Sequence, residues 1–201
     1  MFILASFLNY FGFYTLYTLL NGNNAYTSKE NKILSRNIFC FFFGAFCIFY
    51  AALGDANTLQ QIILAYFGTD TIIMMYNPVF QQNSYYVHHA MTCMLVLYNM
   101  YHPNTDYYLF HLGAYGELST LPLCLADSFK NIPKLREEYP VVNHYSRISF
   151  AVLFFIVRVG WWTYIIYHCD ETLYIRGVLY SLMILQYVWA KKLVQAMLKL
   201  L

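Results

Sequence analysis

The sequence predicts an all-α, polytopic membrane protein, a bundle of about seven transmembrane helices in a single domain over residues 1–201. Composition is the first reason: 60% of the residues are hydrophobic and 11% are charged, with a mean hydropathy of +0.44. Soluble domains are about 45–50% apolar and about 25% charged, so the composition excludes both a soluble fold and intrinsic disorder. The net charge of +2 is too small to indicate a nucleic-acid partner.

A series of apolar runs is the second reason, because a helix needs about 20 mostly apolar residues to cross a bilayer. The first run reads FILASFLNYFGFYTLYTLL and the second reads IFCFFFGAFCIFYAALG. The last run is the weakest, since Arg176 and Gly177 lie near its start. The predicted spans, in chain order, are 2–20, 38–54, 61–80, 84–101, 107–126, 146–167 and 173–190.

The placement of positive charge is the third reason, because cytoplasmic loops carry the excess of Lys and Arg. With seven spans, ten of the twelve basic residues fall on one side, Arg176 falls on the other, and Arg158 lies inside a span. This asymmetry predicts an outside or lumenal N-terminus and a cytosolic C-terminus. The ten residues lie in the loop 21–37, after the fifth span and in the C-terminal tail: Lys29, Lys32, Arg36, Lys130, Lys134, Arg136, Arg147, Lys191, Lys192 and Lys199.

Ionisable side chains lie inside four of the predicted spans, where such groups normally face a bundle interior or a cavity. At 1.5 Å per residue, His88 and His89 lie ~7 Å from the cytosolic face and Glu117 lies ~14 Å from it. Asp70 and Arg158 lie ~15 and ~18 Å from the same face. Four spans therefore contribute polar groups to one half of the bilayer, which predicts either a cytosol-facing cavity or a buried ion-pair network.

Several of these side chains have a purely structural interpretation. Asp70 and Arg158 could neutralise each other as an intramembrane ion pair without any chemistry. His111 lies four residues from both Tyr107 and Tyr115, a spacing that favours a hydrogen-bonded packing role.

The adjacent histidines are harder to explain by packing. Side chains at neighbouring helix positions point about 100° apart, so His88 and His89 can both flank a cleft. Imidazole titrates near pH 6.5 and can act as a general base or a nucleophile. Pro122 removes a backbone donor and frees the carbonyl of Leu118, so we expect an irregular helix beside Glu117.

The sequence contains no pattern typical of a metal site. The five cysteines form no CxxC pair, and their odd number does not suggest a disulfide framework. The six histidines are not spaced as the HxxxH and HxxHH boxes of membrane di-iron enzymes. We therefore expect neither a bound metal nor another resident cofactor.

Five segments together resemble the TLC-domain family, the relatives of ceramide synthases. HHAMTCML matches the pattern HHxxTxxL at His88, His89, Thr92 and Leu95, and GELSTLP resembles the E-x-S-T-P segment of the branch outside the ceramide synthases. The resemblance is closer to that branch, because the chain lacks the H-D-x-x-D segment. It predicts a TLC-like core over 38–195. The other three segments are AYFGTDTIIMMYNP at 65–78, LFFIVR at 153–158 and LQYVWAKKL at 185–193.

The resemblance implies a protein of lipid metabolism in the endoplasmic reticulum membrane, with membrane lipids and a fatty acyl chain as partners. It implies acyl transfer from a fatty acyl-CoA to a lipid amine or hydroxyl, with His88, His89 and Glu117 as catalytic residues. The alternative is a non-catalytic lipid-binding or lipid-sensing protein. A homodimer is also compatible with the sequence. The residues expected to support the site or bind lipid are Asp70, Thr92, Ser119, Arg158 and Trp189.

Overall fold

The fold was determined as a computed structural model that describes residues 2–22 and 25–198. These residues form helices and connecting turns, with no β-strand among them, which confirms the predicted all-α class. The α-helices in chain order are α1 (Phe2–Gly22), α2 (Ser28–Ala52), α3 (Ala56–Tyr76), α4 (Asn83–Tyr101), α5 (Asp106–Tyr108), α6 (Thr120–Asn131), α7 (Pro133–Glu138), α8 (Pro140–Leu153), α9 (Trp162–Tyr167) and α10 (Leu173–Leu198).

Helix α2 begins ten residues before the predicted span, at Ser28, so the prediction of a loop through residue 37 is wrong. A capping box starts the helix: the Glu30 amide donates to Thr27 Oγ1 at 3.3 Å, and the Thr27 amide donates to Glu30 Oε2 at 2.8 Å. These bonds satisfy amides that have no partner inside the helix. Arg36 therefore lies on a helix that faces the bundle.

Helix α3 ends at Tyr76, although the prediction continued the span to residue 80. Asn77 has an extended backbone because the ring of the following Pro78 disfavours the helical conformation. A short 3₁₀ turn, Pro78–Phe80, then leads toward α4.

Two long helical stretches are irregular where they approach the centre of the bundle. Between α5 and α6 the chain forms a π-helical segment, Leu109–Ala114, and a 3₁₀ segment, Tyr115–Ser119. This irregularity agrees with the effect expected of Pro122, which has no amide to donate to the Leu118 carbonyl. A second π-helical segment, Phe154–Trp161, joins α8 to α9.

Gly44 allows α2 to approach the 3₁₀ segment Tyr115–Ser119 and the start of α6 closely. A Cβ atom at Gly44 would lie 3.1 Å from Leu121 Cδ2 and 3.6 Å from Glu117 Cβ. The absence of a side chain lets the helices meet without displacing Leu121. Around this contact lies an apolar core that includes Phe43, Cys47, Leu59, Ile63, Val96 and Leu109.

Three helical stretches among the described residues are long and apolar enough to cross a membrane, judged by length and composition. They are consistent with an integral membrane protein. The three stretches are Ser28–Ala52, Pro140–Tyr167 and Leu173–Leu198.

Candidate functional site

A cavity of about 330 Å³ with both polar and apolar walls lies between α2, α3, α4, α6, α8 and α10. Such a volume is at the lower end of the range of small-molecule sites, about 300–1,000 Å³. Thr92 is buried on α4, one turn after His88, and is not part of the cavity wall. Seven of the eight predicted site residues line the cavity together: Asp70, His88, His89, Glu117, Ser119, Arg158 and Trp189.

The His89 imidazole is held by Thr71, a residue that the sequence analysis did not identify. Thr71 Oγ1 donates to the Phe67 carbonyl at 2.7 Å and lies 2.9 Å from His89 Nδ1. A hydroxyl has a single proton to donate, so the neutral tautomer that fits both contacts has the hydrogen on His89 Nδ1. In that tautomer His89 Nε2 keeps its lone pair and can accept a proton.

Asp70 lies beside this free nitrogen and also forms an ion pair with Arg36. Arg36 makes a bidentate contact, Nε to Asp70 Oδ1 at 2.8 Å and Nη2 to Asp70 Oδ2 at 2.7 Å. His89 Nε2 lies 3.5 Å from Asp70 Oδ2. A proton gained by His89 would thus be held next to a carboxylate, while Arg36 keeps that carboxylate charged in a buried place.

The interpretation of Asp70 and Arg158 as an ion pair is therefore wrong, because each residue has a different partner. Arg158 Nη2 lies 3.1 Å from Glu117 Oε1, and both side chains are more than nine-tenths buried. Arg36 takes the place expected of Arg158, since α2 brings it to α3. The capping box at Thr27 was the signal that could have placed Arg36 on this helix.

Arg158 is fixed by four hydrogen bonds from two of its three nitrogens. Nε donates to the Gly116 carbonyl at 3.1 Å and to Ser119 Oγ at 2.8 Å. Nη2 donates to Glu117 Oε1 at 3.1 Å and to Thr120 Oγ1 at 2.9 Å. The Gly116 carbonyl that Arg158 contacts lies in the irregular 3₁₀ segment before α6.

His88 is surrounded by rings instead of polar partners. Its ring centre lies 5.5 Å from that of Trp189, 5.4 Å from Phe67 and 5.9 Å from His89. His88 Nδ1 is buried and has no hydrogen-bond partner among the described residues. The structure thus orients His89 by hydrogen bonds and His88 by packing.

The cavity extends to the end of the bundle where α6 and α10 finish and α4 begins. Lys130, Lys192 and Gln82 line it there, and both lysines are exposed. Asn37 closes one side by donating to Asp127 Oδ2 at 3.1 Å and to Ser128 Oγ at 3.0 Å. The cavity therefore joins a buried polar interior to a basic entrance.

Glu117 does not hold a histidine by any described hydrogen bond, since its contact is with Arg158. His111 lies outside this cavity, 4.2 Å from Tyr107 and 5.4 Å from Trp161 between ring centres, and its Nδ1 has no described hydrogen-bond partner. Among residues 2–22 and 25–198, no group of three His, Cys, Asp or Glu side chains is close enough to hold a metal ion.

Comparison with known proteins gives one match. The family model described as the TLC domain matches residues 1–195. No curated protein and no solved structure matched the chain.

Proposed function

This chain belongs to the TLC-domain family, and from that premise we propose that it transfers a fatty acyl group from acyl-CoA to a lipid amine or hydroxyl inside the cavity. The family and the apolar helices indicate a membrane protein related to lipids. The observation that carries the proposal is His89, whose Nδ1 is bonded to Thr71 while Nε2 is free beside Asp70 in the cavity wall. A base with an orienting partner is the arrangement that activates a nucleophile.

In the proposed step His89 Nε2 removes the proton from the acceptor as its nitrogen or oxygen attacks the thioester carbonyl carbon. The new C–N or C–O bond forms and the C–S bond breaks. His89 then gives the proton to the departing CoA sulfur. General base catalysis of this kind contributes about 10²–10⁴-fold. Asp70 stabilises the imidazolium that exists between the two proton transfers.

Arg158 is the group proposed to stabilise the oxyanion. Its Nη1 donates to no described residue, whereas Nε and Nη2 are fully used to hold the guanidinium in place. A fixed donor aimed at developing charge costs no reorganisation during the reaction. In this proposal Glu117 and Ser119 position Arg158, and His88 and Trp189 contact the substrate.

The membrane arrangement is part of the proposal. Seven spans with a cytosolic C-terminus would put the entrance at Lys130 and Lys192 on the cytosolic side, where acyl-CoA is available. The fatty chain would extend along the apolar part of the wall, which includes Phe150 and Phe154. We also propose the endoplasmic reticulum as the membrane, on the family resemblance.

The alternative is a non-catalytic protein that binds or senses lipid. It is supported by Glu117, one of the expected catalytic residues, which contacts Arg158 instead of a histidine. In that case the ion pairs and His89 would recognise a headgroup without turnover.

The test uses the purified full chain in lipid vesicles, labelled oleoyl-CoA and a panel of long-chain amines and alcohols. We expect labelled lipid product from the wild type and a loss of about 10²-fold or more in His89→Ala. His144→Ala is the matched control, because His144 is exposed and is not part of the cavity wall. Equal product from wild type and His89→Ala would rule out the mechanism. Bound lipid without product would support the alternative.

A further inference from the structure

Two cysteines on different helices lie in the wall of the cavity. Cys40 is half-buried on α2, Cys124 is buried on α6, and both residues line the cavity. Both are free thiols, as are the other three cysteines of the chain. A small solute that enters the cavity can therefore reach this pair.

The contacts on either side of the pair explain why the two cysteines meet. Asn37 Nδ2 donates to Ser128 Oγ at 3.0 Å. Two turns further along α2, a Cβ atom on Gly44 would lie 3.1 Å from Leu121 Cδ2. Higher residue numbers on α2 thus meet lower residue numbers on α6, so the two helices run antiparallel along this contact.

Cys40 and Cys124 occupy equivalent positions between these two contacts. Cys40 lies three residues after Asn37, and Cys124 lies three residues after Leu121. Residues three and four apart share a helix face, so both thiols lie on the faces that meet. The two thiol groups interact directly with each other. One turn further along α2, the missing side chain of Gly44 lets the two helices come close.

We infer that Cys40 and Cys124 are a redox modification site, at which a hydroperoxide oxidises the two thiols to a disulfide between α2 and α6. With hydrogen peroxide, the sulfur of Cys40, the more exposed of the two, attacks one oxygen and breaks the O–O bond. Cys40 becomes a sulfenic acid and one water leaves. The Cys124 sulfur then attacks the sulfenic sulfur, the S–S bond forms and a second water leaves. Two thiols are oxidised and one peroxide is reduced to two waters.

The disulfide would join the helices that carry the two sides of the proposed site. Arg36, the partner of Asp70, lies one turn before Cys40 on α2. Thr120, which accepts from Arg158, lies one turn before Cys124 on α6. A covalent bond at this point fixes the distance between the two helices, and another thiol can reverse it by exchange. The inference needs no acyl transfer, since only the two thiols and the peroxide react.

The test uses the detergent-purified full chain, first reduced and then titrated with hydrogen peroxide. Remaining thiols are blocked with iodoacetamide, and the disulfide is located by mass spectrometry of the unreduced peptides. We expect the wild type to lose the mass of two hydrogen atoms in a bond between Cys40 and Cys124, with the other three cysteines blocked. The thermal midpoint should rise by about 5 °C or more, because the cross-link restricts the unfolded chain, and dithiothreitol should reverse the rise.

Cys40→Ser and Cys124→Ser should each abolish both the disulfide and the rise in thermal midpoint. Cys93→Ser is the matched control, because Cys93 is half-buried like Cys40 but does not line the cavity. This variant should keep both effects.

A disulfide between any other two cysteines, or one that survives in Cys40→Ser, would overturn the inference. Sulfinic or sulfonic acid at Cys40 without a disulfide would overturn it too, since Cys124 would then be out of reach. No reaction at a peroxide concentration that fully oxidises glutathione would have the same meaning. A lowered thermal midpoint of the oxidised wild type would show that the native helices are not positioned for the bond, which also contradicts the inference. Acyl transfer is measured separately, so the two proposals can fail independently.

Discussion

The His89 wall of the cavity (Arg36, Asp70, Thr71 and His89) and the Arg158 wall (Gly116, Glu117, Ser119, Thr120 and Arg158) are built differently. The His89 wall uses regular helices, and its hydrogen bonds leave one imidazole nitrogen free. The Arg158 wall uses π-helical and 3₁₀ segments, and four hydrogen bonds occupy Nε and Nη2 of the guanidinium. The first wall is therefore suited to move a proton, and the second to hold a charge still.

The largest expected effect is on stability, from Arg158→Met. Removing this buried cation leaves Glu117 as an unpaired buried carboxylate, which costs about 3–5 kcal/mol. We expect a corresponding fall in the free energy of unfolding, measured by denaturant titration in detergent. Arg176→Met is the control: its partner Asp170 is fully exposed, so its loss should cost about 1 kcal/mol or less. Equal losses in both variants would contradict the anchoring role of Arg158.

The next largest effect is on activity, from Asp70→Asn in the His89 wall. The amide keeps the shape of the carboxylate but cannot stabilise protonated His89, so acyl transfer should fall by about 10²-fold. The measurement is the turnover rate with labelled oleoyl-CoA. Asp106→Asn should retain activity, because Asp106 accepts from Asn99 outside the cavity. Retained turnover in Asp70→Asn would remove the carboxylate from the mechanism.

A smaller effect is expected from Thr71→Val, which removes the acceptor of the His89 Nδ1–H bond. One lost hydrogen bond is worth about 0.5–1.5 kcal/mol, so the rate should fall up to about tenfold. Thr71→Ser keeps the hydroxyl and should restore the rate, which a mere packing defect would not permit. Thr163→Val is the control, since Thr163 also donates to a carbonyl one turn back, that of Val159.

The smallest effect is expected far from both walls, at the start of α3. Hydrogen bonds from Thr58 lower the pKa of Asp55 below its usual 3.8. The ionised side chain therefore stabilises the fold above pH 3.8, and this contribution is lost as the pH falls through the lowered pKa. Asp55→Ala should reduce the thermal midpoint slightly at neutral pH, and the difference from wild type should shrink below pH 3.8. A difference independent of pH would contradict this.

Much of the fold follows from local patterns. The all-α class and the TLC-domain resemblance are confirmed, and each predicted span corresponds to a helical stretch. Seven spans and their orientation remain predictions, because three stretches within residues 2–22 and 25–198 meet the criteria of length and composition. The helix starts were less accurate: a positively charged first turn was interpreted as a loop, although its capping box was present in the sequence.

The sequence predicted which residues form the site better than it predicted which of them contact one another. His89 and Asp70 were identified because an ionisable group in an apolar run requires a reason. Arg36 was assigned to a loop by its charge, and Thr71 was overlooked because a threonine in a helix is unremarkable in sequence.

The sequence by itself determined the class of the protein, its helical stretches and the positions where polar groups enter apolar helices, because these depend on composition and on the distance between residues along the chain. The tertiary structure decided that Arg36 and not Arg158 pairs with Asp70, and that His89 is oriented by a hydrogen bond to Thr71 whereas His88 is packed among aromatic rings. Those outcomes depend on which helix faces meet at the cavity. The spacing of residues within one helix does not show which other helix that face contacts.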